Sequence, residues 1–323
     1  MTADLPSRRQ WFARVLADNP TLVLIALFLA LVGVLELMQP GIVSARWAGN
    51  TVKFAIPLAM LAACQTMTML TGGIDMSAGA VATISAFVVA TQTPILGPGG
   101  AMIVALLPGV LIGLVNGLGV GVFRVHPLIM TLATSLIGIG CLQVYQRFVI
   151  ASGSVVPSVL EWLGTGLTWG FPNALLVFLP FAALILWAER RSGFGRLLYA
   201  VGANEGAARL SGVRTWQVYL ALYALSGLVA GVAGLLYVGL IKAPSLSLGL
   251  PLLLPSVAAA VIGGTSIFGG RGGFAGTILG ALILRVIETL LLLTRMPEGM
   301  RTILFGLVLV VVTTAYVRLT GRD

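Results

Sequence analysis

Ten acidic residues, nineteen basic ones and a single histidine are spread over 323 positions, so each charge that falls inside an apolar stretch is a candidate for function, because burying it is costly. Asp75 stands in Thr71-Gly72-Gly73-Ile74-Asp75-Met76-Ser77. A carboxylate beside hydroxyls in a glycine-rich backbone break either receives N–H groups at the start of the helix containing Ser77 and Gly79 or contacts a solute at a gate, and capping is the preferred reading. Arg285 and Glu288, three apart, share a helical face and neutralise each other as a structural pair. Of the two lysines, Lys53 lies in Thr-Val-Lys-Phe and Lys242 in Leu-Ile-Lys-Ala, so neither completes the G-x-x-x-x-G-K-[ST] loop that cradles nucleotide phosphates. The chain carries no ATP site of its own. His126, before Pro127, reads as a helix-boundary residue; with no metal-ligand cluster and no glycine-flanked nucleophilic serine, neither enzymatic chemistry nor a bound cofactor or metal is expected. Cys64 and Cys141 sit in separate apolar segments and read as small hydrophobes.

The elements that hold these residues are membrane spans. Hydrophobic residues make up 58% of the chain and charged ones 9%, against about 25% charged in an ordinary soluble domain, and mean hydropathy is +1.05. Runs such as 303–312, and 22–37 apart from Glu36 near its end, are apolar on every face, which excludes the alternating pattern of an outer-membrane barrel. The fold class is all-α, a polytopic transmembrane bundle with about ten spans at 21–38, 54–70, 78–92, 101–122, 128–146, 174–188, 216–240, 255–268, 274–294 and 301–317. Residues 1–20 form an N-terminal segment and 318–323 a tail, both cytoplasmic, and the first span is retained rather than cleaved. The formal charge of +9 does not imply nucleic acid. Arg8, Arg9, Arg14, Arg190, Arg191, Arg196, Arg209, Arg214, Arg318 and Arg322 flank apolar spans, as expected of charge that orients helices in lipid. The loop 189–215 then lies in the cytoplasm with the links at Arg124 and Arg271, while Arg46, Lys53, Arg147, Lys242, Arg295 and Arg301 fall on the outer side.

Two spans, 78–92 and 255–268, are short and abut the glycine-rich breaks 71–77 and 263–273, so each is a candidate half-helix. Irregular backbone at membrane depth survives only where protein or a cavity satisfies it, which makes Thr71, Gly72, Gly73, Asp75 and Ser77, with Gly263, Gly264, Gly269 and Gly270, candidates for a pathway or gate. The two breaks resemble each other, from Met67 to Ile84 and from Ala260 to Leu279, which hints at an internal repeat. Glycines at 109, 113, 117 and 121, at 272, 276 and 280, and at 227 and 231 line helix faces suited to close packing within the subunit or at an oligomer seam. Neutral polar residues at depth, including Gln65, Thr66, Thr68, Asn116, Thr131 and Thr134, suit a hydroxylated solute as well as helix packing.

The stretch Tyr199-Ala-Val-Gly-Ala-Asn-Glu-Gly-Ala-Ala-Arg-Leu-Ser-Gly-Val213 has the small-residue, amphipathic character of a helix that docks into a partner, and it resembles the cytoplasmic loop of ribose-type permease subunits of ABC importers, in the branched-chain amino acid and sugar permease superfamily. The segments 71–79, 126–134, 193–196 and 261–273 resemble the same family in order and spacing. The resemblance implies a type II importer fold, two permease copies or paralogues, ATP-binding cassette subunits below and a periplasmic or lipoprotein solute-binding protein above, in the bacterial inner membrane. It implies that Gly202, Asn204, Glu205, Ala208, Arg209 and Gly212 face the ATPase. Where the family commonly has an acidic residue ahead of the second glycine-rich stretch, this chain reads Leu250-Pro-Leu-Leu-Leu-Pro-Ser-Val257, so the solute class stays broad: pentose, deoxysugar, polyol or an autoinducer-2-like molecule. A proton- or ion-coupled secondary transporter is the alternative.

Overall fold

The computed structural model describes residues 20–149 and 153–320. The expectations for residues 1–19, including Arg8, Arg9 and Arg14, and for Arg322 in the tail lie outside the described residues. Twelve helices and one short hairpin run through the rest: α1 Pro20–Met38, α2 Ala45–Leu70, α3 Ala78–Gly121, α4 Pro127–Val149, α5 Ser158–Thr165, β1 Leu167–Thr168, β2 Phe171–Pro172, α6 Leu175–Arg191, α7 Gly193–Ala203, α8 Glu205–Leu210, α9 Thr215–Ile241, α10 Leu250–Ile262, α11 Phe274–Leu293 and α12 Glu298–Thr320. Among the described residues six helices, α1, α2, α3, α4, α9 and α11, are long and apolar enough to cross a membrane.

Several boundaries differ from the sequence expectation. The two spans expected at 78–92 and 101–122 are the two parts of α3, separated by a non-helical Gly97 at φ 70° between Pro94 and Pro98, and a methyl group on Gly109 of the second part would meet Val81 of the first, so the chain turns back on itself there. These prolines remove donors from the ladder, so the kink falls there. The span expected at 255–268 is instead the 13-residue α10, ending at Ile262. It begins five residues earlier than expected and stops at Ile262 because Gly264 adopts φ +87°, a left-handed conformation that stops a helix. In α2 the helix starts nine residues earlier than expected, where Ser44 Oγ accepts from Trp47 N at 3.2 Å and caps it.

Glycine governs how the bundle closes. On α3, a methyl group at Gly109, Gly113 or Gly117 would overlap the backbone of α9 at Gly227, Tyr223 and Leu220 respectively, and at Gly121 it would press on Trp216. The stripe therefore packs within the subunit, where backbones approach closely and van der Waals contact replaces the hydrophobic drive that lipid does not supply. A second close pair joins α10 to α11, with Gly276 on Gly263 and Gly280 on Ala259. Polar side chains in α2 cost little because they are paired: Thr66 and Thr68 donate to carbonyls four residues back, and Thr66 meets Thr277 of α11 at 2.7 Å.

The connecting segments collect at two ends. One end gathers 71–77, 122–126, α7, α8 and 263–273. At the other, Lys53 Nζ donates to Thr165 O at 2.6 Å, Lys242 pairs with Glu161 at 3.5 Å, and the β1–β2 hairpin turns through Trp169 and Gly170, both at positive φ, the conformation of a two-residue hairpin loop.

A glycine junction at the candidate coupling site

The candidate coupling residues occupy two short helices at the first of these ends. Ser192 caps α7, its Oγ accepting from Gly195 N at 3.0 Å, and Asn204 caps α8, its Oδ1 accepting from Ala207 N at 2.9 Å. Gly212, at φ +85°, closes α8 through Val213 N to Ala208 O at 3.0 Å. Ala208 is buried, whereas Asn204, Arg209 and Leu210 are exposed, Leu210 at 92%. An isolated leucine that bare on a six-residue helix of a docking-type loop was not singled out in the sequence, since it reads there as one more apolar residue.

Glu205 points inward. Its Oε1 accepts from Arg124 in an ion pair and from Thr215 Oγ1 at 3.0 Å, and its Oε2 from Tyr219 Oη at 3.3 Å. Partial burial pushes its carboxyl up, but the hydrogen bonds from Arg124, Thr215 and Tyr219 and the charge of Arg124 outweigh this and hold it below the usual range. Glu205 thus ties α8 to the α3–α4 link and to α9. Sequence alone missed Arg124, Thr215 and Tyr219 as its partners, because Arg124 lies 81 residues away.

The two glycine breaks meet this element and each other. Gly202 of α7 packs so tightly on Leu70 O that a side chain there would overlap it and crowd Gly270 N. Gly270 N donates to Leu70 O at 3.0 Å, a methyl on Gly269 would lie 3.1 Å from Gly72 N, and one on Gly270 would lie 3.2 Å from Ala203 Cα. The breaks also end their helices alike. Gly72 N bonds Met69 O and Gly73 N bonds Thr68 O, while Gly264 N bonds Val261 O and Thr265 N bonds Ala260 O, with Gly72 and Gly264 both at positive φ. The similarity of the two segments is therefore conformational as well as chemical.

Beyond the junction, residues 73–77 fold back among the helices. Asp75 is 1% exposed, with Oδ1 accepting from Ser77 N at 2.9 Å and Ser77 Oγ at 2.5 Å, and Oδ2 from Ser226 Oγ of α9 at 2.6 Å. Gln65 of α2 clasps the Asp75 backbone on both sides, at 2.8 and 3.1 Å. Asn116 reaches Ser77 Oγ at 2.9 Å and is held by Thr134 at 2.7 Å; Thr131 Oγ1 accepts from Met76 N at 3.0 Å. The residue that caps α3 by position is Ser77, not Asp75. The carboxylate binds one N–H at that helix start and, through Ser226, an opposing helix. Thr71 Oγ1 turns back to Thr68 O at 2.9 Å and takes no part in this network.

One further carboxylate belongs to the junction and was not anticipated. Glu189, just past the apolar stretch of α6 and 5% exposed, accepts from Phe274 N at 2.9 Å and so caps α11, while its Oε1 has no partner. Burial pushes its carboxyl up to about 7, with the Phe274 hydrogen bond and Arg190 opposing. Next to it Tyr199 Oη donates to Gly272 O at 2.8 Å. Because Glu189 precedes Arg190 and Arg191, it reads in sequence as one member of a solvated charge run.

A helical membrane protein whose helices are interrupted by paired glycine breaks, joined at one end to an exposed helical loop, has the make-up of a transport permease. The family described as branched-chain amino acid transport system / permease component matches residues 47–313, and the chain belongs to it, as a ribose-type member. Over 268 residues the chain is 33% identical to the galactofuranose transporter permease protein YtfT of Escherichia coli (strain K12), covering 80% of this chain and 76% of the relative. It is 31% identical to the ribose import permease protein RbsC of the same strain, covering 88% and 89%, and 28% identical to the fructose import permease protein FruF of Bifidobacterium longum (strain NCC 2705), covering 93% and 88%. No solved structure matches the chain. The family is one of transport permeases rather than enzymes, and its members act with ATPase and binding-protein partners.

Proposed function

We propose that this chain forms the translocation pathway of a binding-protein-dependent importer for a sugar or sugar-like solute, with ATP hydrolysed by a partner subunit. The observation that carries the reading is the contact of α7 with both glycine breaks, because it gives a docked ATPase a mechanical route to the helices around Asp75 and to the start of α11. In this account α8 meets the ATPase through Asn204, Arg209 and Leu210. Glu205 and Ala208 hold α8 to the bundle, and Gly202 and Gly212 supply close approach and a sharp stop. Movement of α7 drags Leu70 and Gly269–Gly270, and the segments 71–77 and 263–273 open to one side at a time. The similarity to permeases named for ribose, galactofuranose and fructose supports a monosaccharide-like solute.

The end bearing Arg124, Arg190, Arg191, Arg196, Arg209, Arg214 and Arg271 faces the cytoplasm of a bacterial inner membrane in this reading, as the richer basic end should. Both termini then lie inside, each permease is a type II importer-like bundle of about ten spans, two permease copies or paralogues pair, and a solute-binding protein docks at the other end. A proton-coupled carrier is not favoured by the relatives. The test is uptake of D-ribose, D-fructose and D-galactose into proteoliposomes holding the permease with its ATPase and binding protein. Uptake that requires ATP inside and ignores a proton gradient is expected; uptake driven by the gradient alone would overturn the assignment.

A further inference from the structure

At the end of the bundle opposite the junction lies a cleft of about 450 Å³ walled by α2, α9, α10, α11 and α12. It holds an unusual density of charge for this chain. Arg285 donates from Nε to Phe54 O at 3.0 Å, pairs with Glu288 and lies 5.6 Å over the Phe54 ring. That guanidinium is committed to protein partners and only 11% of its side chain is exposed, but the Glu288 side chain is half-exposed and keeps a second oxygen beyond the pair. Across the cleft stands Arg301, at the first turn of α12, whose Nε is buried without a hydrogen-bond partner. Tyr237, Pro251 and Pro255 complete the wall with a phenol ring and two apolar rings.

We infer that this cleft is a solute subsite for a polyhydroxylated ring, a second station separate from the glycine junction and reached from the opposite end. Sugar hydroxyls both donate and accept. Glu288 offers an acceptor and Arg301 a donor, while the Tyr237 and proline surfaces suit the C–H face of a ring. A phosphate or carboxylate ligand fits less well, because Glu288 would repel it. An unpartnered buried guanidinium nitrogen costs stability unless something it faces accepts its hydrogen, and a hydroxyl entering the cleft does so. The inference rests on the reading of the chain as a sugar permease.

The test needs no partner subunit. Saturation-transfer NMR on the full chain in phosphatidylcholine nanodiscs, with D-ribose, D-fructose and D-galactose as probes, should show transfer to at least one sugar. Glu288→Gln and Arg301→Ala should each weaken that binding about tenfold, and Arg301→Lys, which keeps a donor, should retain part of it. No transfer to any of the three sugars from the unaltered chain would overturn the inference whatever the variants do. So would transfer unchanged in both variants, or stabilisation of the chain by inorganic phosphate or anionic lipid in place of sugar. Loss of ATP-dependent uptake with the NMR result intact would instead count against the importer reading and leave the subsite standing.

Discussion

Asp75 is held by donors alone, two hydroxyls and an amide, so deleting its carboxylate leaves those groups stranded, whereas an amide can still serve them. Asp75→Ala should therefore lower thermal stability in detergent by about 2–5 kcal/mol and Asp75→Asn by about 1 kcal/mol, since Ser226 can reverse its hydroxyl toward an amide. Equal losses in thermal unfolding would show that charge rather than hydrogen bonding matters there. Glu189 gives a pH signature of the opposite kind to an ordinary paired acid. Its folded carboxyl titrates at about 7, above the ordinary glutamate value of 4.5, so between these values the folded state binds more protons than the unfolded one, and stability falls as pH rises through that window. The contribution is at most about 3.5 kcal/mol, at roughly 1.4 kcal/mol for each pH unit separating the folded and unfolded carboxyl. Glu189→Gln keeps an acceptor for Phe274 N and should flatten the pH dependence of unfolding between about pH 5 and 7; a slope unchanged from wild type would mean another group carries it. Neither role was legible in the sequence beyond Asp75 being a capping candidate. Ser226 lies 151 residues from Asp75 and Phe274 lies 85 from Glu189, and nothing local marks such pairings.

Elements were more legible where small residues recur at helical spacing. The stripe at 109, 113, 117 and 121 could be read as a packing face, though not which helix it meets, because glycine advertises closeness and not the identity of the neighbour. Gly113→Ala places a methyl against Tyr223 O and should cost about 1–3 kcal/mol. Gly140→Ala on α4 meets no atom within 4 Å and should be neutral or gain up to about 1 kcal/mol from helix propensity. Thermal unfolding of both variants checks the contrast, and matching losses would contradict the packing assigned to α3 and α9. Where irregular backbone takes over, hydropathy lost the thread. It extended α10 past Gly264 and left 153–173 without elements, although that stretch holds α5 and the hairpin. Hydropathy averages over a window, whereas these features turn on single residues such as Gly170 and Gly264, both at positive φ.

At the scale of the whole molecule, the breaks, the segment 199–213 and its glycines were each visible as motifs, and their convergence was not, since only the folded chain brings Gly72, Gly202 and Gly269 together. In the proposed mechanism this junction is the lever between a docked ATPase and the transport path. Arg209 and Leu210 then form the docking face, and Gly202 transmits the movement, so that its replacement by valine should leave docking intact while lowering solute-stimulated ATP hydrolysis about tenfold or more. The direct measurement is affinity purification of the tagged chain in mild detergent with its ATP-binding cassette subunit, comparing wild type, Arg209→Glu with Leu210→Asp, and Gly202→Val. Retention of the ATPase by wild type and Gly202→Val, and its loss in the double variant, is the predicted result. An ATPase that never co-purifies, or that binds the double variant as well as wild type, would contradict the account.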